Sequence, residues 1–351
     1  MKREIIILGI AMATFVGCKK DKEQPTNIVI STRVENLTNP WGMVFLPNGD
    51  LVFTERTGKI SILKHGESNT QLLMNRNVEV SEGGLLGLAV DPQFSTNHYL
   101  YIYETIVDEN RVVRLAYNNG SLAQDAVILN GIPASYNHDG GALRFGPDGY
   151  LYVGTGDALQ GELAQDKNSL AGKILRIDRN GNAAPGNPFN SVVWSYGHRN
   201  VQGFDWNPQG VMLATEHGPS SENGWCCHDE INRIQPGKNY GWPLVIGDTQ
   251  ADTLTAPIYH TGNNTWAPSG CSFIKGNQWK TWQNNLAIGA MKAERIYLIN
   301  LSTDGGSVVQ IKDTLNGTYD RIRNIIQAPD GSLYFATSNN SGDKIVRMSM
   351  E

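Results

Sequence analysis

One short unit recurs along this chain: an apolar strand, a Pro-x-Gly turn or a variant of it, then a second strand. It appears as MVFLPNGDLVFTE, LAVDPQFSTNHYLYIYE, LRFGPDGYLYVGTGD, FDWNPQGVMLATEHGP and IIQAPDGSLYFATS, with a worn copy in SFIKGNQWKTWQNNLAIGAM. The turns fall near residues 47, 92, 147, 208, 277 and 329. That spacing, roughly 45 to 70 residues, is the size of one propeller blade. A lone sheet of this kind cannot bury both faces, and closing six of them into a ring removes the problem. The reading is therefore all-β, a six-bladed β-propeller, with a stacked β-sandwich as the alternative.

No segment carries a long 3.6-residue apolar period. Short alternating runs such as LVFTER, KISIL, YLYIYE and KILRID dominate, bounded by Gly, Asn, Asp and Pro. The 38 glycines and the modest charged fraction of 18% describe a turn-rich globular chain with an ample core. Net charge is −5, and no basic cluster appears beyond the first residues, which disfavours nucleic-acid binding. With no linker inside residues 30–351, that span is expected to be one domain.

The N-terminus reads as a targeting segment. Lys2 and Arg3 precede an apolar stretch, Ile5 to Val16, too short to span a bilayer as a stable helix, and it ends in Gly17-Cys18. A small residue before a cysteine at this place resembles a bacterial lipoprotein signal. Residues 1–18 are thus expected to be a signal ending at a lipidated Cys18, and residues 19–29 a flexible tether. The protein would be exported and lipid-anchored to a bacterial membrane, facing the periplasm or the cell surface. Of the remaining cysteines, Cys226 and Cys227 are adjacent and Cys271 is distant. An exported chain permits disulfides, and both a vicinal bridge and a bridge to Cys271 stay open.

The segment Tyr136 to Asp157, YNHDGGALRFGPDGYLYVGTGD, carries the clearest chemistry. His138 stands beside a glycine turn, two strands follow around a PDG turn, and the second strand ends near Asp157. In an antiparallel pair, residues at the two open ends can face each other. A carboxylate that fixes one imidazole nitrogen leaves the other to act as a base. By itself, this is also how a satisfied histidine at a strand end looks.

Other segments turn that balance. In a propeller, loops from every blade converge at one mouth of the central channel, so functional residues should be scattered in sequence but share one position per unit. Glu82 lies in VSEGGLLGLAVDP, and Arg199, Asn200 and Gln202 lie in WSYGHRNVQGFDWNPQG. Gly218 and Pro219 end ATEHGP, Glu230 lies in DEINRIQPGKNYGWP, and Thr265 opens TWAPSG. Lys292 lies in AMKAERIYLI, and Arg321 and Arg323 in YDRIRNIIQAPDG.

With GLLG, YGHRN, EHGP, NYGWP and the RxR before PDG in one chain, most of residues 38–345 resembles the soluble quinoprotein sugar dehydrogenases. The resemblance implies a six-bladed propeller that holds pyrroloquinoline quinone and Ca2+ and oxidises an aldose at its anomeric carbon to the lactone. Hydride would pass to the quinone, and electrons then to an unidentified acceptor. It implies His138 as the base, Asp157 as its orienting carboxylate and Arg199 beside the quinone oxygen. It implies main-chain carbonyls of Gly218 and Pro219 on the cofactor calcium, and Glu230 on a second calcium. Glu82, Asn200, Gln202 and Thr265 would touch the cofactor. Lys292, Arg321 and Arg323 would meet its three carboxylates, for which guanidinium forks are suited. Glu82, Asn137 and His217 depart from the glucose-oxidising type, which has Gln, Asp and Gln there, so redox chemistry is more legible than sugar identity. A non-catalytic binding propeller and a metal-dependent lactonase are the alternatives, and the cation trio would have no task in the latter.

Overall fold

The computed structural model describes residues 27–221, 224–248 and 253–350. Cys18 and the rest of the expected signal lie outside the described residues. The described residues form six four-stranded antiparallel sheets. The first blade holds β2 (Pro40–Phe45), β3 (Leu51–Glu55), β4 (Lys59–Leu63) and β5 (Thr70–Asn75). The second holds β6 (Leu85–Val90), β7 (Tyr99–Ile106), β8 (Glu109–Asn118) and β9 (Ser121–Pro133). The third holds β10 (Leu143–Phe145), β11 (Leu151–Gly154), β12 (Lys173–Ile177) and β13 (Val193–Tyr196). The fourth holds β14 (Val201–Trp206), β15 (Met212–Glu216), β16 (Glu230–Ile234) and β17 (Tyr259–His260). The fifth holds β18 (Pro268–Phe273), β19 (Leu286–Ala290), β20 (Arg295–Leu301) and β21 (Val308–Thr314). The sixth holds β22 (Ile322–Gln327), β23 (Leu333–Thr337), β24 (Asp343–Met350) and, from the other end of the chain, β1 (Ile28–Leu37).

The innermost strands β2, β6, β10, β14, β18 and β22 touch one another in ring order, and β22 meets β2 to close the circle. All six turns expected from sequence sit between the first and second strands of their blades. The propeller is therefore present and the sandwich is not. β1 begins at Ile28, two residues before the expected domain start at 30, because IVIS pairs with β24 from Ile28↔Met350 onward.

The packing explains the sequence pattern. Each blade interface carries its own apolar cluster. Tyr101, Tyr103 and Val112 of the second blade meet Leu151, Val153 and Leu175 of the third, and Ala214 and Phe204 of the fourth meet Tyr152 and Ile174 of the third. Because both faces of a sheet are covered, middle strands such as β3 are buried at every residue, and polar alternation fades there. Near the axis the inner strands approach so closely that side chains must vanish. A Cβ on Gly203 would lie 2.7 Å from the Ser269 carbonyl oxygen, and one on Gly42 would lie 2.8 Å from that of Leu86.

Asp343 fastens the ring where the chain ends meet. It is fully buried. Its carboxylate accepts from the Asn39 amide (2.9 Å), the Thr337 hydroxyl (2.8 Å) and the Asn339 amide (2.6 Å). Hydrogen bonds to a charged group contribute about 1.5–3 kcal/mol each, and removing the acceptor strands the buried Asn39 amide and the half-buried Asn339 amide. Asp343→Ala should therefore destabilise the fold by about 3–5 kcal/mol, more than Ser or Thr losses on the blade surfaces. Chemical denaturation checks this, and a loss below about 1 kcal/mol would remove Asp343 from that role.

Candidate active site

Strand direction puts the expected catalytic and cofactor-binding residues of the propeller at the same end of the ring. The loops that enter the first strand of a blade, or join its second and third, open there. The loop before β6 brings Glu82, that before β10 brings His138, and that before β14 brings Arg199 and Asn200. Asp157 follows β11, Gly218 and Pro219 follow β15, Thr265 precedes β18, Lys292 follows β19, and Arg321 precedes β22. A cleft of about 550 Å3 opens among Glu82, His138, Arg199, Asn200, Gly218 and Thr265, a volume suited to a small ligand.

The hairpin geometry does what the sequence suggested. β10 pairs with β11 from Leu143↔Val153 outward. Beyond its open end, the His138 Nδ1 and an Asp157 oxygen lie 2.7 Å apart. Gly156 is needed here, because a Cβ on it would overlap the His138 carbonyl. His138 itself takes a left-handed φ of 66°, a conformation unusual outside glycine and frequent at functional sites. The other ring nitrogen, Nε2, lies 2.8 Å from the Arg199 guanidinium. Arginine can only donate, so Nε2 carries its lone pair toward Arg199, and the proton of a neutral ring sits on Nδ1, toward Asp157.

Arg199 is fixed from behind. Its amide donates to Glu216, and its guanidinium donates to the His217 carbonyl at 3.1 Å. Glu216 also meets His198 Nδ1 at 2.9 Å, and His198 Nε2 meets the Ser195 hydroxyl at 2.8 Å. This series has the connectivity of a hydrolytic triad, but Ser195 and His198 are wholly buried, so it is a strut that sets the Arg199 backbone.

A second network floors the cleft. Glu82 accepts from the His138 amide (2.9 Å) and from Asn200 Nδ2 (2.7 Å). Asn200 Oδ1 accepts from the Gly140 amide (3.0 Å) and from Gln202 (3.0 Å), and Gln202 in turn accepts from Arg323 (2.7 Å). Burial alone would raise the Glu82 carboxyl, yet nearby His217 and these hydrogen bonds hold it below its usual range. Burial pushes Arg323 down to about 9, with Arg56 and Arg321 adding repulsion and Glu82 opposing them. Arg323 Nε, Arg56 Nε and His217 Nε2 are buried without a hydrogen-bond partner.

Asp229 stitches the far wall. Its carboxylate accepts from the Gly218 amide (2.9 Å), the Thr265 hydroxyl (3.1 Å), and the amides of Trp266 (2.6 Å) and Ala267 (2.9 Å). Thr265 is thus brought to the Gly218 loop. Cys226 and Cys227 form a vicinal disulfide in that loop, while Cys271 is free and buried on β18. β18 turns Cys271 into the core between the fourth and fifth blades, which rules out its bridging the loop. Lys292 and Arg321 stand exposed at the rim rather than inside the network. Glu230 lies to one side, raised to about 8 by burial and by Glu216, and held by Asn232 at 2.9 Å. Among the described residues no group of three or more His, Cys, Asp or Glu gathers as a metal site.

Sequence reading missed Arg56, Asp229 and Trp242. Trp242 lay inside the quoted NYGWP and Asp229 opened the quoted DEINRI. Arg56, after LVFTE, occupies the mouth-facing position that the repeat makes functional.

The family model described as glucose/sorbosone dehydrogenase matches residues 37–347. The chain belongs to the glucose/sorbosone dehydrogenase family, and is a sugar dehydrogenase of that family. It is 30% identical over 351 residues to the aldose sugar dehydrogenase YliI of Escherichia coli, covering 91% of this chain and 92% of that one. The PQQ-bound aldose sugar dehydrogenase of Streptomyces coelicolor superposes with a TM-score of 0.81 at 33% identity, over 93% of this chain and 100% of that one. The quinoprotein glucose dehydrogenase B of Acinetobacter calcoaceticus is 26% identical over 88% of this chain and 85% of its own length.

Proposed function

We propose that this protein oxidises an aldose at the anomeric carbon to its lactone, using pyrroloquinoline quinone and Ca2+, and passes the electrons to an external acceptor. The observation that carries the reading is an oriented imidazole in the cleft with two guanidinium groups close by, at Arg56 and Arg323, whose buried Nε–H groups have no hydrogen-bond partner among the described residues. A flat tricarboxylate fits that donor set. Arg56 and Arg323 offer buried N–H groups with nothing to donate to, and a buried guanidinium without a counter-anion is costly to keep. The PQQ-bound Streptomyces relative supports the same cofactor.

Arg323, Arg321, Lys292 and Arg56 would hold the carboxylates, and Asn200, Gln202, Thr265 and Glu82 would hydrogen-bond the ring system. Main-chain carbonyls of Gly218 and Pro219 are hard oxygen donors of the kind calcium prefers. Glu230, beside Glu216 and the unsatisfied buried Oδ1 of Asn232, would hold a second calcium. When bound, the quinone supplies the two-electron acceptor and its calcium the polarising charge.

The chain's own residues supply the rest. His138 takes the proton of the C1 hydroxyl on Nε2, the nitrogen that carries the lone pair. Asp157, already hydrogen-bonded to Nδ1, stabilises the imidazolium that forms. Arg199 stands at the same nitrogen and can turn its donors toward charge that develops beside it.

His138→Ala should lower aldose-dependent dye reduction by about 10²- to 10⁴-fold while leaving cofactor binding intact. Turnover within about threefold of wild type would take the base role from His138. We further propose that Cys18 is lipidated and tethers the propeller to a membrane, supported by the short apolar run and Gly17 before it. Cys18→Ser should move active protein from the membrane to the soluble fraction. A wild-type protein already soluble, with an N-terminus beyond Cys18 by mass spectrometry, would contradict the anchor.

A further inference from the structure

Trp242 touches both Asp157 and Arg199, two groups that flank the His138 ring. Its indole Nε1–H donates to Asp157 Oδ2 at 2.6 Å. The other oxygen, Oδ1, meets His138 Nδ1 and accepts from the Leu159 amide at 2.9 Å. The carboxylate is therefore gripped at both oxygens. Without the indole donor, it could turn about its Cβ–Cγ bond and carry the ring with it. The same indole presents its ring to Arg199, whose guanidinium carbon lies 5.4 Å from the ring centroid. That distance is within cation–π range. Arg199 is the group at His138 Nε2. One residue thus bears on what stands at Nδ1 and at Nε2.

The indole is itself held rigidly. The Trp242 amide donates to the Gly197 carbonyl at 3.0 Å, and its own carbonyl accepts from Gln165 at 2.6 Å. Gln165 is locked to Asn239 by a reciprocal pair of hydrogen bonds, at 3.1 and 2.8 Å. Gly161 leaves room at the donor, since a Cβ there would lie 3.2 Å from Trp242 Nε1. Trp225 packs edge-on against the ring. Trp242 is buried, so water does not compete for Asp157 Oδ2.

We propose that Trp242 is a positioning residue that holds the Asp157–His138 pair and Arg199 in register for proton removal. It does not touch the sugar or the cofactor in this role; it acts through Asp157 and Arg199. This rests on the reading of His138 as the base.

Two variants test it. Trp242→Phe keeps a ring and removes the donor. Replacement of Trp242 by benzothienylalanine keeps the bicyclic shape and exchanges N–H for sulfur, so a packing defect cannot account for its effect. Both should lower kcat by roughly 10- to 100-fold, the scale of one charge-assisted hydrogen bond, with the aldose KM changed by less than about threefold. A second readout needs no turnover. In protein labelled with 15N-histidine, the Nδ1 proton of His138, assigned by its loss in His138→Ala, should resonate far downfield in wild type. In both variants it should move upfield or broaden. Full kcat and an unmoved resonance in the benzothienyl protein would overturn the proposal, even if His138→Ala is inactive. If His138→Ala stays active, it is the base assignment that fails. A change confined to KM would assign Trp242 to the sugar pocket instead and would also overturn the proposal.

Discussion

Closure of the ring is the constraint on which everything else depends. Six sheets bury both faces only if the last packs against the first, and the sixth is completed by a strand from the far end of the chain. The pairing of β1 with β24 joins residues more than three hundred positions apart, and the buried Asp343 ties the Asn39 amide to the same corner. Such long-range closure means the blades gain little until the circle is complete. Once it is complete, the first strands stand so close to the axis that glycine is required along them. Their upper ends then have no freedom to separate. That rigidity lets residues from different blades meet within hydrogen-bond reach, as His138 meets Arg199 and Arg323 meets Gln202.

The site shows the cost of that arrangement. Arginines at 56, 321 and 323 repel one another across the mouth, and Glu82 offsets only part of their charge. A fold selected for stability alone would fill this place with apolar side chains, since replacing buried charges by well-packed hydrophobes is often neutral or stabilising. Buried N–H groups with nothing to meet are rare in native proteins, and each asks for an explanation. An anion with several carboxylates gives one. Glu82 then has two tasks: it fixes the His138 amide and Asn200, and it limits repulsion among the cations while no anion is bound.

Much of this was legible in the sequence, for identifiable reasons. Blade number and turn positions could be read because Pro-x-Gly turns repeat at the inner hairpin of each sheet. His138 and Asp157 could be paired because a hairpin brings them near each other locally, and they lie 2.7 Å apart beyond its open end. Contacts between blades were not readable in this way. Trp242 reaches Asp157 from another blade, 85 positions along the chain, and nothing in NYGWP states which carboxylate it meets. Asp229 looked like one acidic residue among several until the fold aimed four donors at it. The vicinal pairing of Cys226 and Cys227 depended on where β18 carries Cys271, which is a fact of packing. Lys292 and Arg321 share the mouth with Arg323, but sequence could not tell an exposed rim cation from a buried one.

The central claim is that this cleft binds pyrroloquinoline quinone with calcium and uses it to oxidise an aldose. Its most direct test is a single-turnover measurement on the wild-type protein. Purified protein is stripped of metal by exhaustive chelation and titrated with the quinone, with and without Ca2+. It is then mixed anaerobically with one equivalent of an aldose while its absorbance is followed. The account predicts saturable quinone binding that needs calcium, followed by conversion of the oxidised spectrum to the reduced one, with lactone formed in equal amount. Failure to bind the quinone in the presence of calcium, or a bound quinone that every aldose tested leaves oxidised, would contradict it.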